Sequence, residues 1–340
     1  TIRFDKTGGG MDIKDGACIK AKGLPKLLDA NGAVVTVAGV ELDGHIKFIG
    51  AGSSKGSWDY IRIETNAENT FEYVDFINGG KRTGGAGVVE LWGDGSQLNM
   101  SHCKISGGLA YGLYCTYLPG VIPTFKNNVI EGCVTPVYLN NVRQVVDFDM
   151  TSTYTGNTNN YVTIKYFALA AQTSVTINRT SVPYFIETYA EMNGNLTITE
   201  GVTFYMSADA GISILNNATA SLTVNGTAEL PVTFTRLPNS SYYWATTSSA
   251  NGIQLWKGNH AINNCIIEYG GGRSGIGAIS LAYETSLSLN NVIIRNSNHY
   301  GVYVSQGHTD VSITHTNVTF ANNADGNVYW HDGTVKTQIP

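Results

Sequence analysis

Glu64 and Glu90 lie about one sequence period apart, and Arg62 sits two residues before the first of them. Paired carboxylates are what glycosidic-bond hydrolysis requires, one as acid and the other as base or nucleophile, roughly 5 to 9 Å apart. Side chains on strands stacked about 4.8 Å apart can reach that separation. Trp92 adds an aromatic face suited to sugar C–H surfaces, and Arg62 adds a donor for hydroxyls. The same residues read equally well as an exposed Arg62–Glu90 ion pair across neighbouring strands, worth about 0 to 1 kcal/mol.

These residues need strands that repeat. Short alternating apolar pairs, Ile61/Ile63, Val89/Leu91, Leu113/Cys115 and Val137/Leu139, recur roughly every 24 to 28 residues. Alternation sends the pairs inward and their odd neighbours outward. One outward column is then Arg62, Glu90, Tyr114 and Tyr138, and the next is Glu64, Trp92, Thr116 and Asn140. Antiparallel hairpins would need two-residue Asn-Gly or Asp-Gly turns between strand pairs, and these are mostly absent. The pattern predicts an all-β solenoid in which each strand stacks on its counterpart one turn later.

The module is written twice. Ile13–Ile19 resembles Ile198–Phe204, Trp58 matches Trp244, Asn78–Arg82 matches Tyr269–Arg273, and Tyr111–Cys115 matches Tyr300–Val304. Partners stay roughly 190 residues apart. The expected organisation is a first module over 1–140, irregular rungs or a spacer over 141–195, and a second module over 196–340. In the second copy the outward columns read Gln254, Ser280, Tyr303 and Trp256, Ala282, Ser305, with no carboxylate. Catalysis by a shared acid pair is therefore confined to the first copy or absent. Asn128, Asn264, Asn291 and Asn317 each precede an apolar pair. Asn tolerates the left-handed conformation a corner needs, and stacked amides can bond along the axis.

Composition narrows the partners. Charged residues are 14% of the 340 and the net charge is −5, which offers no basic footprint for nucleic acid. No apolar run reaches the roughly 18 residues of a membrane helix. The five cysteines lack C-x-x-C spacing and read as buried small hydrophobes. His299, His308 and His315 lack metal-ligand spacing, and neither metal nor cofactor is expected. The Gly-Gly-x-Arg loops ending at Arg82 and Arg273 lack the Lys-Ser/Thr of a phosphate cradle. The chain starts at Thr1, and an export signal or lipid anchor upstream is an expectation.

The runs Leu196–Phe204 and Leu222–Thr235, with I-N-N-C-I-I-E-Y-G-G-G from Ile262, resemble secreted right-handed parallel β-helix proteins of Bacteroidetes type, within the pectate-lyase-like superfamily. The resemblance implies a right-handed coil, an extracytoplasmic or outer-membrane surface location, and work on glycans. The functional reading is a non-catalytic surface protein that binds polysaccharide through Trp92, Tyr114, Tyr138, Trp256 and Tyr303 or serves as an adhesin or structural surface component. A purely structural stalk is the case with neither binding nor product. The alternative is a polysaccharide lyase or glycoside hydrolase centred on Glu64, Glu90 and Arg62.

Overall fold

The computed structural model describes residues 1–5, 8–38, 40–41, 43–116, 120–166, 168–214, 219–246 and 252–340. It is all-β, about 1% helical, with parallel sheets forming about ten turns of β-solenoid. The chain divides into two compact units: Thr1–Asn140 with Asp147–Val162 and Thr180–Val182, and Asn141–Val146 with Thr163–Arg179 and Pro183–Pro340. Segment 141–195 thus contributes to both.

In the first unit Met11, Ile61, Val89, Leu113 and Val137 stand in register on successive parallel strands. Ile13, Ile63, Leu91 and Cys115 form a second inward column. From Ile61 onward these side chains are almost completely buried. In the second unit the equivalent column is Ile212, Ile253, Ile279, Val302 and Val328, also buried. Each rung by itself would expose its apolar face, so burial comes from stacking.

Both units anchor a tryptophan in the same way. Trp58 Nε1 donates to the Ile77 carbonyl and Trp244 Nε1 to the Glu268 carbonyl, each at 2.8 Å, and both rings are fully buried. The indoles lie on glycine. A Cβ at Gly79 would stand 2.6 Å from Trp58 Cζ2, and one at Gly270 would stand 2.7 Å from Trp244 Cζ2. No larger residue fits there without moving a core ring.

The corners follow the asparagine expectation with one correction. Asn264, Asn291 and Asn317 have φ of 47°, 53° and 52°. Asn291 Nδ2 donates to Asn264 Oδ1 at 3.1 Å, and Asn317 Nδ2 to Asn291 Oδ1 at 3.0 Å. In the first unit the left-handed residue is Asn127, φ 55°, and not Asn128. Asn128 is buried one position later, where its side chain accepts the Cys103 N–H and donates to the Met100 carbonyl. Its amide satisfies backbone groups that would otherwise be orphaned inside the coil. Four cysteines are buried free thiols, while Cys18 is exposed.

Candidate functional site

The outward column of the first unit is Asp12, Arg62, Glu90, Tyr114 and Tyr138, in register across five strands. Its centre is sealed. Glu90 has no exposed surface; its Oε2 accepts from Arg62 Nε at 2.7 Å and its Oε1 from the Gly87 N–H at 3.0 Å. Arg82 Nη2 approaches Oε1 at 3.5 Å as an ionic contact, while its Nε donates to Asp59 at 3.0 Å. Aromatic rings fill the gaps. The Arg82 guanidinium lies 4.4 Å from the Tyr60 ring, Arg62 lies 4.2 Å from that ring, and Arg62 also covers Trp92 at 4.1 Å. Such cation–π contacts strengthen as water is excluded.

Burial pushes the Glu90 carboxyl above the usual carboxylate range, against the opposing pull of the Gly87 N–H and of Arg62. Burial also works against the Arg62 charge, but the Glu90 hydrogen bond and charge outweigh it and raise its pKa. Glu64, the other candidate acid, sits 3.8 Å from Arg62 Nη1 and 3.9 Å from Lys14 Nζ. The ion pair expected between Arg62 and Glu90 is therefore present, and it is buried where the sequence reading had it exposed. Tyr114 follows Glu90 in register on the next strand, and its Cβ leaves no room for one at Gly87, which would stand 2.7 Å away.

Above this cluster the column becomes aromatic. Tyr111 stacks on Tyr114 at 4.9 Å and 7°, and Tyr138 lies 4.9 and 5.2 Å from the two. All three are half-buried. The second unit repeats the arrangement. Tyr303 stacks on Tyr329 at 4.9 Å and 13°, with Tyr300 lying 6.0 Å from Tyr303 and 5.2 Å from Tyr329. Below that triad Ser213, Gln254 and Ser280 are neutral and buried in register, and the exposed Glu191 stands one strand further on, in register with Ser213. Ser213 Oγ donates to Gln254 Oε1 at 3.0 Å, and Ser280 Oγ accepts the Gly277 N–H at 3.1 Å. Ser280 thus takes the same backbone donor that Glu90 takes from Gly87. Trp256 stands apart, edge-on to Tyr283 at 5.3 Å.

A second feature lies at the corner of the first unit. A cavity of about 430 Å³ is lined by Pro25, Lys26, Leu28, His45, Tyr73, Asp75, His102 and Lys104, among others. His45 Nδ1 and Asp75 Oδ1 are 2.8 Å apart, and Tyr73 stacks on His102 at 4.6 Å. The matching groove of the second unit, about 390 Å³, presents Pro231, Asn264, Ile266, Asn291 and Ile293. Ile266 and Ile293 are paired on neighbouring strands two residues after the left-handed Asn264 and Asn291, as Asp75 and Lys104 are two residues after the left-handed Tyr73 and His102, so they are counterparts. A solenoid corner can therefore be built without acidic, basic or histidine side chains, and the His45, Asp75, His102 and Lys104 of the first groove are an addition to that frame. Sequence reasoning missed it. The available signal was Asp75 and Lys104, one period apart where the second copy carries isoleucine.

Among the described residues no group of His, Cys, Asp and Glu is placed to hold a metal ion, and no helix is long and apolar enough to cross a membrane. Comparison with protein-family models, curated proteins and solved structures returned no match. Geometry and register define the class: a parallel β-solenoid built from repeated rungs.

Proposed function

We propose that this chain is a non-catalytic glycan-binding protein, exported to the cell surface, that grips polysaccharide through its two tyrosine triads. The observation that carries the reading is the repetition of the triad. Tyr111, Tyr114 and Tyr138 in one unit and Tyr300, Tyr303 and Tyr329 in the other are half-buried, two on one strand and the third on the next, with ring centroids 4.9 to 6.0 Å apart. Everything else on the two outward columns differs. Tyr couples an apolar face for sugar C–H groups to a hydroxyl for sugar oxygens, at low cost in side-chain entropy. Exported location and an adhesin-like role follow from the resemblance to surface β-helix proteins.

The burial of Glu90 supports the non-catalytic part. Its two oxygens are taken up by Arg62, Gly87 and Arg82, so a substrate would have to displace a guanidinium to reach them. The test is a glycan array with the wild-type chain, Tyr114→Ala/Tyr138→Ala and Tyr303→Ala/Tyr329→Ala. Binding should weaken in each double variant, with no new reducing ends or unsaturated products from the bound glycan. Product release abolished by Glu90→Gln would establish a lyase or hydrolase instead. Full binding after loss of both triads would refute the platform.

A further inference from the structure

The last long strand, Ser312–Ala321, is paired on one side only. It runs parallel to Thr285–Arg295, and among the described residues no strand lies on its other edge. Its inward residues continue buried columns: Ile313 follows Leu287, His315 follows Leu289, Val318 follows Val292 and Phe320 follows Ile294. The four predecessors are at most 1% exposed, whereas Ile313, Val318 and Phe320 are half-buried and His315 is exposed. The core of this unit is therefore open along this edge. The amide ladders also end here with unused acceptors. Asn317 and Asn322 donate to Asn291 and Asn296, and among the described residues nothing donates to Asn317 Oδ1 or Asn322 Oδ1.

The first unit shows what happens to the equivalent edge when it is covered. There Val121–Lys126 and Val129–Glu131 meet the segment Asp147–Thr155. Phe148 stacks on Phe125 at 4.1 Å and 5°, with both rings fully buried. Asp147, Thr151 and Ser152 accept the backbone N–H groups of Phe125, Asn127 and Asn128, and Thr153–Thr155 pairs with Val129–Glu131. In the second unit the returning chain covers a different strand. Val335–Lys336 pairs antiparallel with Gly326–Tyr329, leaving Ser312–Ala321 open.

An open edge is normally guarded by charge, proline or a bulge. The first rung of the chain is so guarded, with Arg3, Asp12, Lys14, Lys20 and Lys22 on or beside its strands. Ser312–Ala321 contains no Asp, Glu, Lys, Arg or Pro. We infer that this edge is the contact of a two-fold dimer, occupied by the same strand of a second copy. Asn317, at the corner, splits the strand into arms Ser312–Thr316 and Val318–Ala321, close to equal in length. A two-fold axis through that corner lays each arm antiparallel to the other copy's opposite arm. Ile313 and His315 of one chain then cover Val318 and Phe320 of the other. The absence of charge removes like-charge repulsion, and each copy brings the same inward residues to the contact, as an isologous contact requires. This inference does not depend on the glycan reading.

The test is sedimentation equilibrium of the whole chain without glycan. Wild type should be a concentration-dependent dimer. His315→Lys puts a charge at an exposed, inward-pointing position and should raise the dimer Kd about tenfold or more. His315→Leu, which restores the residue type of the preceding rung, should lower it, and Thr309→Lys off the strand should leave it unchanged. Hydrogen exchange gives a second readout: amides of 312–321 should gain protection as protein concentration rises. A chain that stays monomeric up to its solubility limit would overturn the inference. So would a dimer indifferent to His315→Lys whose 312–321 amides exchange at the monomer rate.

Discussion

The two outward columns begin from the same backbone and end with different chemistry. In one, half-buried Arg62, Arg82, Tyr60 and Trp92 form a charged stack around the buried Glu90. In the other, Gln254 and Ser280 do the equivalent work with neutral hydrogen bonds. The neutral version shows that rung stacking does not need the charges. What both units keep, the inward aliphatic columns, the tryptophan on glycine and the tyrosine triad, marks what the module requires or uses. What only the first unit carries, the Arg62–Glu90–Arg82 cluster and the corner groove with His45, Asp75, His102 and Lys104, marks where it has specialised.

The largest expected effect sharpens this contrast. Arg62→Ala strands the Glu90 carboxylate in a buried site and should cost about 3 to 5 kcal/mol in urea unfolding of the first unit. Gln254→Ala removes a neutral partner and should cost about 1 kcal/mol. Equal losses would show that the charged cluster is no different in kind from its neutral counterpart. Joint replacement, Arg62→Met with Glu90→Leu, should recover most of the Arg62→Ala loss.

Next come substitutions that should not distinguish the units. Gly79→Ala and Gly270→Ala each drive a methyl into an indole and should each cost about 1 to 3 kcal/mol, by overpacking. A large inequality would break the claim that Trp58 and Trp244 play one structural role.

The pH dependence separates the units again. Burial raises the pKa of Glu90 in the folded chain, so the folded state holds that proton more tightly than the unfolded state. Its contribution to stability is present below the unfolded value, about 4.3, and is lost as pH rises through the raised folded value. Glu90→Gln should remove that slope. Asp43 and Asp149 act in the opposite sense. Burial opposes their ionisation, but Lys47 and the His45 N–H at one, and Lys126 and Thr151 at the other, outweigh it and lower their pKa values. Their contribution holds at neutral pH and falls away on acidification, so the comparison is read as wild type minus Glu90→Gln at each pH. A difference flat across that range would contradict the assigned burial effect.

The smallest effect concerns the corners. His102 has φ 54° and occupies the place that Asn291 fills in the second unit. His102→Asn should be neutral to slightly stabilising, within about 0.5 kcal/mol. Asn291→Ala should cost about 1 to 2 kcal/mol, through left-handed strain and the broken ladder. Thermal unfolding of the two variants checks both.

The inward columns were legible because alternation and a period near two dozen residues both report directly on rung stacking. Ile61, Val89, Leu113 and Val137 stand in register as that clock requires. The adjacency of Arg62 and Glu90 was legible for the same reason. Their burial was not, because the cover comes from Tyr60, Arg82 and Trp92, off the column and placed by a loop and by ring packing. The corner residue was read one position late, at Asn128, because two adjacent asparagines give no local signal for which one turns. The groove with His45, Asp75, His102 and Lys104 was hidden in another way. One of its walls, Pro25 to Leu28, belongs to a non-repeating excursion that no periodicity predicts.

The central claim is that one chain carries two equivalent tyrosine platforms for glycan. Isothermal titration of the array's strongest oligosaccharide tests it most directly. Two sites per chain are predicted, falling to one in Tyr114→Ala/Tyr138→Ala and to one in Tyr303→Ala/Tyr329→Ala. A single site that survives both double substitutions would contradict it.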